Sequence, residues 1–146
     1  MMKEKKSKND KRLSKAEYEA LSNFRYAVRQ FLGFSESAAE AAGLTANQHQ
    51  ALLAIKGFPG RDHVTNGELA ERLRIKHHSA VGLVNRLEIL NLVYRKQSAA
   101  DRRQIYIALT ESGEKLLELL TIAHRVELKN LVPHLRVILE SLKHSD

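Results

Sequence analysis

The sequence contains no cysteine. This absence excludes a disulfide framework, a thiolate metal site and any switch that works by thiol oxidation. No stretch approaches the roughly 18 consecutive apolar residues that a membrane-spanning helix requires. No apolar run follows the charged N-terminus "MMKEKKSKNDKR" to form a signal peptide. We therefore expect a cytoplasmic protein with no membrane contact.

Enzyme and metal motifs are also missing. The sequence has no phosphate-binding glycine-rich loop with its lysine, no Gly-x-Ser-x-Gly and no His-Glu-x-x-His. Of the seven histidines, His77 and His78 are adjacent and would diverge on a helix, and no His-x3-His spacing is present. The sequence thus predicts a protein that is not an enzyme and that needs no cofactor and no metal.

Charge is distributed unevenly along the chain. Its 146 residues, 43% apolar and 28% charged, have the composition of an ordinary soluble domain with a net charge of +7. Residues 1–12 carry six Lys or Arg against two acids, and residues 61–103 carry nine against five. We expect residues 1–12 to form a disordered basic tail. The second basic segment is different, because a positive field within a folded region attracts phosphate backbones.

Apolar spacing predicts two helices in the first part of the chain. The first, within residues 13–43, has an apolar face whose members are Leu21, Phe24, Val28, Phe31 and Ala38. Gly43 can end this helix in the left-handed conformation. Thr45 is the expected N-cap of the second helix. The side chains predicted to point inward from the second helix are Leu52, Leu53 and Ile55.

Two short helices joined by a tight turn follow. Thr65 and Glu68 have the spacing of a capping box, which begins a helix through Leu73. Only residues 74–76 separate it from a second helix, which Asn91 can end as a left-handed cap. The apolar side chains of that second helix are Ala80, Leu83, Val84 and Leu87. Helices with so short a joint must cross steeply, which is the helix-turn-helix arrangement.

A hairpin comes directly after the second helix. Its strands are "LVYRK" and "QIYIALT", in which Ile105, Ile107 and Leu109 alternate as in a half-buried strand. The cations around its turn are Arg95, Lys96, Arg102 and Arg103. This combination predicts a winged helix, whose second helix can enter the major groove of double-stranded DNA while the wing reaches the negative potential of the minor groove. A turn that is merely polar and solvated is the alternative.

The last segment, residues 111–146, is helical again. Pro133 fits the first turn of a helix better than the middle of one, so we predict a boundary near Asn130 and two C-terminal helices. The apolar faces at both chain ends exceed what a small winged helix can cover, which favours a homodimer over intrachain packing alone. The expected fold is mainly α, a winged helix-turn-helix over residues 44–110 with a small β-hairpin wing. Dimerisation helices would flank it, within residues 13–43 and in the last segment.

Four segments resemble the MarR family of bacterial transcriptional regulators. They are "LT…Q…LL" from Leu44, "ELAERL" from Glu68, "LVNRLEILNLVYRK" from Leu83 and "ADRRQIYIALTESGEKLL" from Ala100. The resemblance covers roughly residues 13–142 and implies a homodimer whose first and last helices interlock. It implies that the winged helix of each subunit binds half of a palindromic promoter site. We accordingly expect a repressor.

The resemblance also implies which residues contact DNA. The positions that match the family's recognition helix are His77, His78, Ser79, Ala80, Val81, Gly82, Asn85 and Arg86. Four of them point away from the apolar face on helical spacing, namely His78, Gly82, Asn85 and Arg86. In the wing, Arg103 matches the minor-groove arginine beside Arg102, and Asp101 would hold Arg103 by a charge-assisted hydrogen bond. The candidate phosphate contacts, which are otherwise solvated surface charges, are Lys76, Arg95 and Lys96.

Many members of the family release DNA when a small aromatic or anionic compound binds, so the resemblance raises the hypothesis of such an effector. Arg25 and Arg29 lie one helical turn apart beside Phe24 and Val28, and His49 lies on the second helix. A bound carboxylate would relieve the repulsion between the two arginines. Salt bridges to acids on the same helix are the alternative.

Two other functions are compatible with the sequence. A winged helix can be a protein-interaction module, in which the charges of the wing would serve solubility. "GFPG" at residues 57–60 is similar to the GXXG loop of RNA-binding KH domains, although the helices and strands come in a different order. Salt dependence separates nucleic-acid binding from a protein interface, because phosphate binding releases counterions.

Overall fold

The computed structural model describes residues 12–143, so the predicted basic tail lies outside this range except for its last residue. The elements, in chain order, are α1 (Lys15–Ala41), α2 (Ala46–Lys56), β1 (His63–Val64), α3 (Asn66–Leu73), α4 (His77–Ile89), β2 (Val93–Gln97), β3 (Ile105–Leu109) and α5 (Glu111–Lys143). No helix in this range is both long and apolar enough to span a membrane.

The chain divides into two compact units. The first comprises the described residues up to Leu32 and from Glu127 onward. The second comprises Gly33–Val126 and therefore holds the whole predicted winged helix, together with the end of α1 and the first part of α5.

The wing of the second unit belongs to a three-stranded antiparallel sheet of order β1-β3-β2. Val93 pairs with Leu109 and Gln97 with Ile105, which confirms the predicted hairpin. Ile107 is fully buried but Ile105 is 47% exposed, so the predicted half-buried pattern holds only for the inner part of β3. The sequence pattern misses β1, because a strand of two residues is too short to show an alternation.

The core of the second unit lies between the sheet and the helices α2, α3 and α4. Its fully buried large apolar side chains include Leu52, Ile55, Val64, Leu69, Val84, Leu87 and Ile107. The prediction that Leu53 points inward is wrong, because its side chain is 42% exposed. Successive helical residues are rotated by about 100°. Leu52 and Ile55 share the buried face, and this rotation turns Leu53 away from it.

The side chains of Thr45 and Thr65 cap the starts of α2 and α3, which confirms both predicted N-caps. The Thr45 hydroxyl accepts a hydrogen bond from the Gln48 backbone N–H, while the Gln48 side chain accepts one from the Thr45 N–H. Thr65 and Glu68 form the same reciprocal pair at the start of α3. Each capping box satisfies backbone donors that a helix start leaves free.

Residues in the left-handed region end three of the helices. Gly43 and Asn91 have φ values of 78° and 57°, which confirms both predicted caps. The joint between α3 and α4 consists of residues 74–76, as predicted. It turns at Arg74, whose φ of 54° is unusual for a residue with a side chain. The sequence does not indicate this, since glycine and asparagine are the residues usually found there.

The predicted helix boundary near Asn130 is wrong, because α5 runs unbroken from Glu111 to Lys143 with Pro133 inside it. Proline removes one backbone donor, which frees the carbonyl of Lys129. Pro133 and Lys129 are both exposed, so water can satisfy that carbonyl. The apolar side chains keep their helical spacing on both sides of the proline, and the helix continues.

The first unit buries few apolar side chains and leaves many large ones exposed. Ala20, Ala27 and Ile138 are buried. The exposed apolar side chains on the α1 part are Leu21, Phe24, Val28 and Leu32, and those on the α5 part include Leu128, Val132, Val137, Leu139 and Leu142. Within this single chain the predicted apolar face of α1 is therefore largely uncovered.

Candidate nucleic-acid interface

Helix α4, which matches the predicted recognition helix, has one buried and one exposed face. Its buried side chains are Ala80, Leu83, Val84 and Leu87. The predicted DNA-contacting residues lie on the other face, where Gly82 is half-buried and the exposed side chains are His77, His78, Ser79, Asn85 and Arg86. The amphipathic spacing thus leaves a polar surface free, while apolar packing holds the helix in place.

A groove of about 690 Å³ lies between α4 and the start of α2. Four of the predicted residues line it, namely His78, Ser79, Gly82 and Arg86. On the α2 side it is lined by Thr45, Asn47 and Gln48, which sequence reasoning did not select because only the fold brings the two helices together. Polar side chains thus lie on both sides of the groove, with Ile75 and Leu83 also among its lining residues.

Gly82 is not required by packing within the chain. A Cβ atom built at this position would meet no heavy atom within 4 Å. Close approach between parts of this chain therefore does not explain the glycine.

The tip of the wing is ordered by hydrogen bonds to its backbone. The predicted charge-assisted bond between Asp101 and Arg103 is present, but its donor is the Arg103 backbone N–H, 3.0 Å from Asp101 Oδ1. A short aspartate side chain reaches the N–H two residues onward without strain. Ser98 Oγ accepts from two further N–H groups of the turn. The side chains of Arg102 and Arg103 are exposed, and neither has an ion-pair partner among residues 12–143.

The three candidate phosphate contacts have different surroundings. Lys96 is exposed on β2, and Lys76 is exposed at the start of α4, where its side chain caps no backbone group. Arg95 is instead engaged within the chain, because its guanidinium contacts Glu88 and Asn85 on α4. The sequence presents these cations alike, and only the fold separates the two exposed lysines from the paired arginine.

The sequence pattern does not predict a cluster of side chains that involves the loop between α2 and β1. The Arg61 guanidinium lies 4.5 Å from the centroid of the Phe58 ring and 5.5 Å from that of Tyr106 on β3. It also forms an ion pair with Glu68 on α3. The Tyr106 ring meets His63 of β1 edge-on at 4.6 Å. Arg61 thereby connects the loop, the helix-turn-helix and the sheet that carries the wing.

Glu68 is ionised more readily than an ordinary glutamate. Burial opposes its charge and would raise its pKa. Hydrogen bonds from the Thr65 backbone and hydroxyl outweigh this effect, together with the charge and hydrogen bond of Arg61, and hold the pKa of Glu68 below its usual value. The negative carboxylate therefore stabilises both the start of α3 and the position of Arg61.

The residues predicted to bind an effector fall in two units. Phe24, Arg25, Val28 and Arg29 are exposed on the part of α1 that belongs to the first unit, whereas His49 is buried in the second. The alternative salt bridges on α1 are not formed, since neither arginine has an ion pair among the described residues. A shared ligand site stays a prediction.

His49 belongs instead to a buried polar cluster. Its ring lies 4.8 Å from that of His124 on α5. His124 Nδ1 is 2.6 Å from the Leu120 carbonyl and its Nε2 is 2.8 Å from Ser35 Oγ. Because a carbonyl only accepts, Nδ1 carries the hydrogen, and in the neutral ring Nε2 accepts from the serine. Burial lowers the pKa of His49, and so does the charge that His124 carries when protonated.

Comparison with known proteins finds similarity to one family over part of the chain. The model of the MarR family matches residues 42–104. The HTH-type transcriptional regulator FarR of Neisseria gonorrhoeae is 41% identical over 51 residues, which make up 35% of this chain and 35% of that protein. The chain thus aligns with only about a third of the length of this curated relative.

Solved structures match over most of the chain. The structure of MepR, a transcription regulator of the Staphylococcus aureus multidrug efflux pump MepA, has a TM-score of 0.67 and 27% identity over 80% of this chain and 82% of that one. MepR in its complex with DNA has a TM-score of 0.63 and 28% identity over the same shares. A MarR family protein from Bacillus stearothermophilus has a TM-score of 0.70 and 21% identity over 83% of each chain.

The helices α3 and α4 with their short joint, the polar outer face of α4 and the cationic hairpin after it define a winged helix-turn-helix protein. The same architecture occurs in the solved structures of MarR-type regulators. Residues 42–104 of the chain are thus similar to the MarR family, and the solved structures that match most of the chain include that of the transcription regulator MepR.

Proposed function

We propose that this protein regulates transcription by binding a palindromic promoter site in double-stranded DNA. The single observation that carries the proposal is that one compact unit holds both an exposed polar face on α4 and a wing tip whose two arginines have no ion pair in the described chain. Helix α4 would enter the major groove, and Arg103 would enter the adjacent minor groove. The relative MepR has been solved in a complex with DNA, which supports this proposal.

The remaining predicted DNA contacts fall into two main groups, residues of α4 that would contact base edges and exposed lysines that would contact phosphates. On α4 the base-reading candidates are His77, His78, Ser79, Gly82, Asn85 and Arg86. Lys76 and Lys96 are exposed cations without an ion pair in the described chain, and we assign them to phosphates. Arg102 would support Arg103 at the tip of the wing.

We further propose that the protein acts as a homodimer through its terminal helices. In the first unit, Leu21, Phe24 and Val28 are exposed although they share one face of α1. Large apolar side chains of α5 are exposed as well, among them Val137 and Leu139. Burial of such faces against a second copy would remove apolar surface from water. The domain assignment therefore stays as predicted, with residues 44–110 for DNA and the flanking helices for assembly.

Repression, and its relief by a small aromatic or anionic compound, complete the proposal. Arg25 and Arg29 offer two cations without an ion pair in the described chain, beside the exposed ring of Phe24. A carboxylate attached to an aromatic ring would suit such a surface. Salicylate is a simple probe of this class, and its effect on DNA binding tests this part separately.

Selection from random duplex DNA at physiological salt tests the function. We expect the retained sequences to share an inverted repeat with half-sites about one helical turn apart, and sedimentation to give a mass of twice the chain. Absence of any enriched motif would contradict sequence-specific regulation. DNA binding that does not weaken as salt is added would not involve the release of counterions from phosphates. Such a result would favour the alternative of a protein-interaction module.

A further inference from the structure

Arg95 connects the wing to two positions of helix α4. Its Nη1 lies 2.8 Å from Glu88 Oε2, and its Nη2 donates to Asn85 Oδ1 at 2.5 Å. The Arg95 side chain is only 27% exposed. Glu88 and Asn85 are three residues apart, so they project from neighbouring turns on one side of α4. One guanidinium on β2 therefore holds both side chains.

This contact determines which way the Asn85 amide faces. A guanidinium has donors only, so the atom that it contacts must be the amide oxygen and not the amide nitrogen. The NH₂ group then lies on the other side of the amide, and it has no acceptor among the described residues. Asn85 is exposed on the outer face of α4. It therefore presents two N–H donors to whatever approaches that face.

The same contact argues against Arg95 as a phosphate ligand. The Glu88 carboxylate compensates the charge of the Arg95 guanidinium, and Asn85 Oδ1 accepts a hydrogen bond from the second guanidinium nitrogen. To reach a phosphate, Arg95 would have to give up bonds that are already formed. Lys96, the next residue on the strand, is exposed and has no such partner in the described chain, so it is the natural control.

We propose that Arg95 is a positioning residue that sets the base preference of Asn85. In the major groove, guanine presents the acceptors O6 and N7 and thymine presents O4, whereas adenine presents one acceptor beside an amino donor and cytosine presents an amino donor. The paired amide contact to adenine needs the asparagine oxygen as well as its nitrogen, and Arg95 holds that oxygen. Asn85 should therefore select guanine or thymine. This inference rests on the proposed function and names a residue that determines its specificity.

The test compares matched variants on the selected operator. Arg95→Met removes the donors but keeps an unbranched side chain, and Asn85→Ala removes the amide. Asn85→Asp keeps an acceptor for Arg95 but lacks the N–H donors. Lys96→Met is the control on the same strand. Affinities are measured for every single-base change in one half-site, at two or more salt concentrations, and thermal unfolding checks that each variant is folded.

We expect wild-type protein to prefer guanine or thymine at one base pair by about fivefold or more. Arg95→Met, Asn85→Ala and Asn85→Asp should each lose that preference at the same base pair. The double variant of Arg95→Met with Asn85→Ala should lose no more than either single variant, because the two residues act as one unit. The salt slope of the affinity should stay unchanged in these variants. Lys96→Met should keep the base preference and lower the slope by about 1.

Different results overturn the assignment. Uniform weakening by Arg95→Met on all sequences, with a salt slope lower by about 1, would make Arg95 a phosphate ligand. If Asn85→Asp keeps the base preference of the wild-type protein, the amide N–H groups do not contribute to base recognition. This result would overturn the assignment even if Arg95→Met fails to fold. If the wild-type protein selects no sequence at all, the proposed function itself has failed, and that is seen before any variant is made.

Discussion

The imidazole rings of His49 and His124 lie 4.8 Å apart in the interior of the second unit. Their side chains come from α2 and α5, and both residues are less than a tenth exposed. Phe34 packs edge-on against His124 at 5.2 Å. Two protonated rings at this distance would repel each other in surroundings that stabilise charge poorly. The cluster is therefore stable only while His49 is neutral.

Acidification should destabilise the protein through His49. Its folded pKa lies below the ordinary value of 6.5, so between the two values the unfolded chain binds more protons than the folded chain. The stabilisation is complete above 6.5 and is lost as the pH falls through the folded pKa. We expect the free energy of unfolding, measured in urea, to fall between pH 7 and 5.

His49→Phe should reduce the slope of the free energy of unfolding against pH between pH 7 and 5, because phenylalanine fills a similar space and does not titrate. His134→Phe is the control, since His134 is exposed on α5. Equal slopes in wild-type protein and His49→Phe would show that other groups cause the acid sensitivity.

Arg61→Met should destabilise the second unit by about 1 kcal/mol. The substitution removes the ion pair with Glu68 and the cation that lies against Phe58 and Tyr106. Lys115→Met breaks an ion pair whose side chains are 73% and 85% exposed, and it should cost at most about 0.5 kcal/mol. Urea unfolding measures both, and equal costs would mean that the Arg61 cluster adds nothing beyond a surface pair.

Loss of Arg61 should also change how the free energy of unfolding depends on pH under acidic conditions. The folded pKa of Glu68 lies below 4.5, so its contribution is present above that pH and is lost as the pH falls through the folded value. Without Arg61 the Glu68 pKa should rise toward its ordinary value, although the bonds from Thr65 remain. Below pH 4.5, the free energy of unfolding measured in urea should therefore fall less in Arg61→Met than in wild-type protein. A steeper fall in the variant would contradict this role of Arg61.

Two glycines should respond oppositely to alanine. At Gly82 the added Cβ meets nothing within 4 Å, so Gly82→Ala should raise the free energy of unfolding by up to about 1 kcal/mol through helix propensity. At Gly113 the added Cβ would lie 2.1 Å from the Leu92 carbonyl oxygen. Gly113→Ala should therefore cost about 2 kcal/mol or more. Thermal unfolding distinguishes the two, and a destabilised Gly82→Ala would show that space is not free at that position.

Arg103→Ala should weaken operator binding by more than about 1 kcal/mol while the fold and the dimer stay intact. The reason is that the Arg103 guanidinium, which has no ion pair among residues 12–143, would be lost from the narrow minor groove. Titration of labelled operator DNA gives the affinity, and sedimentation gives the mass. An unchanged affinity would remove the wing tip from the proposed mechanism.

Lys76→Ala should show a different pattern from Arg103→Ala. As a phosphate contact, Lys76 would contribute equally on all sequences, so binding should weaken uniformly and the salt slope should fall by about 1. The measurement is affinity at several salt concentrations on operator and on unrelated duplex. A shift in the preferred sequence would assign Lys76 to base reading instead.

Much of the winged helix could be predicted because its signals are local. The capping box of Thr65 and Glu68, the left-handed cap at Asn91 and the pairing of β2 with β3 each depend on residues close in sequence, and each is present in the structure. The errors concern competition with the rest of the molecule. Leu53 was assigned inward from apolarity alone, and Pro133 was treated as a boundary although its exposed position lets water satisfy the freed carbonyl.

The sequence by itself determined the order of the elements, the polar outer face of α4 and the cations of the wing, because periodicity, caps and charge are properties of neighbouring residues. The tertiary structure alone decided which side chains act together. It paired Arg95 with Asn85 and His49 with His124, and it brought Arg61 against the rings of Phe58 and Tyr106. Such partners come from different helices and strands, and a contact between them exists only after apolar burial has brought those elements together.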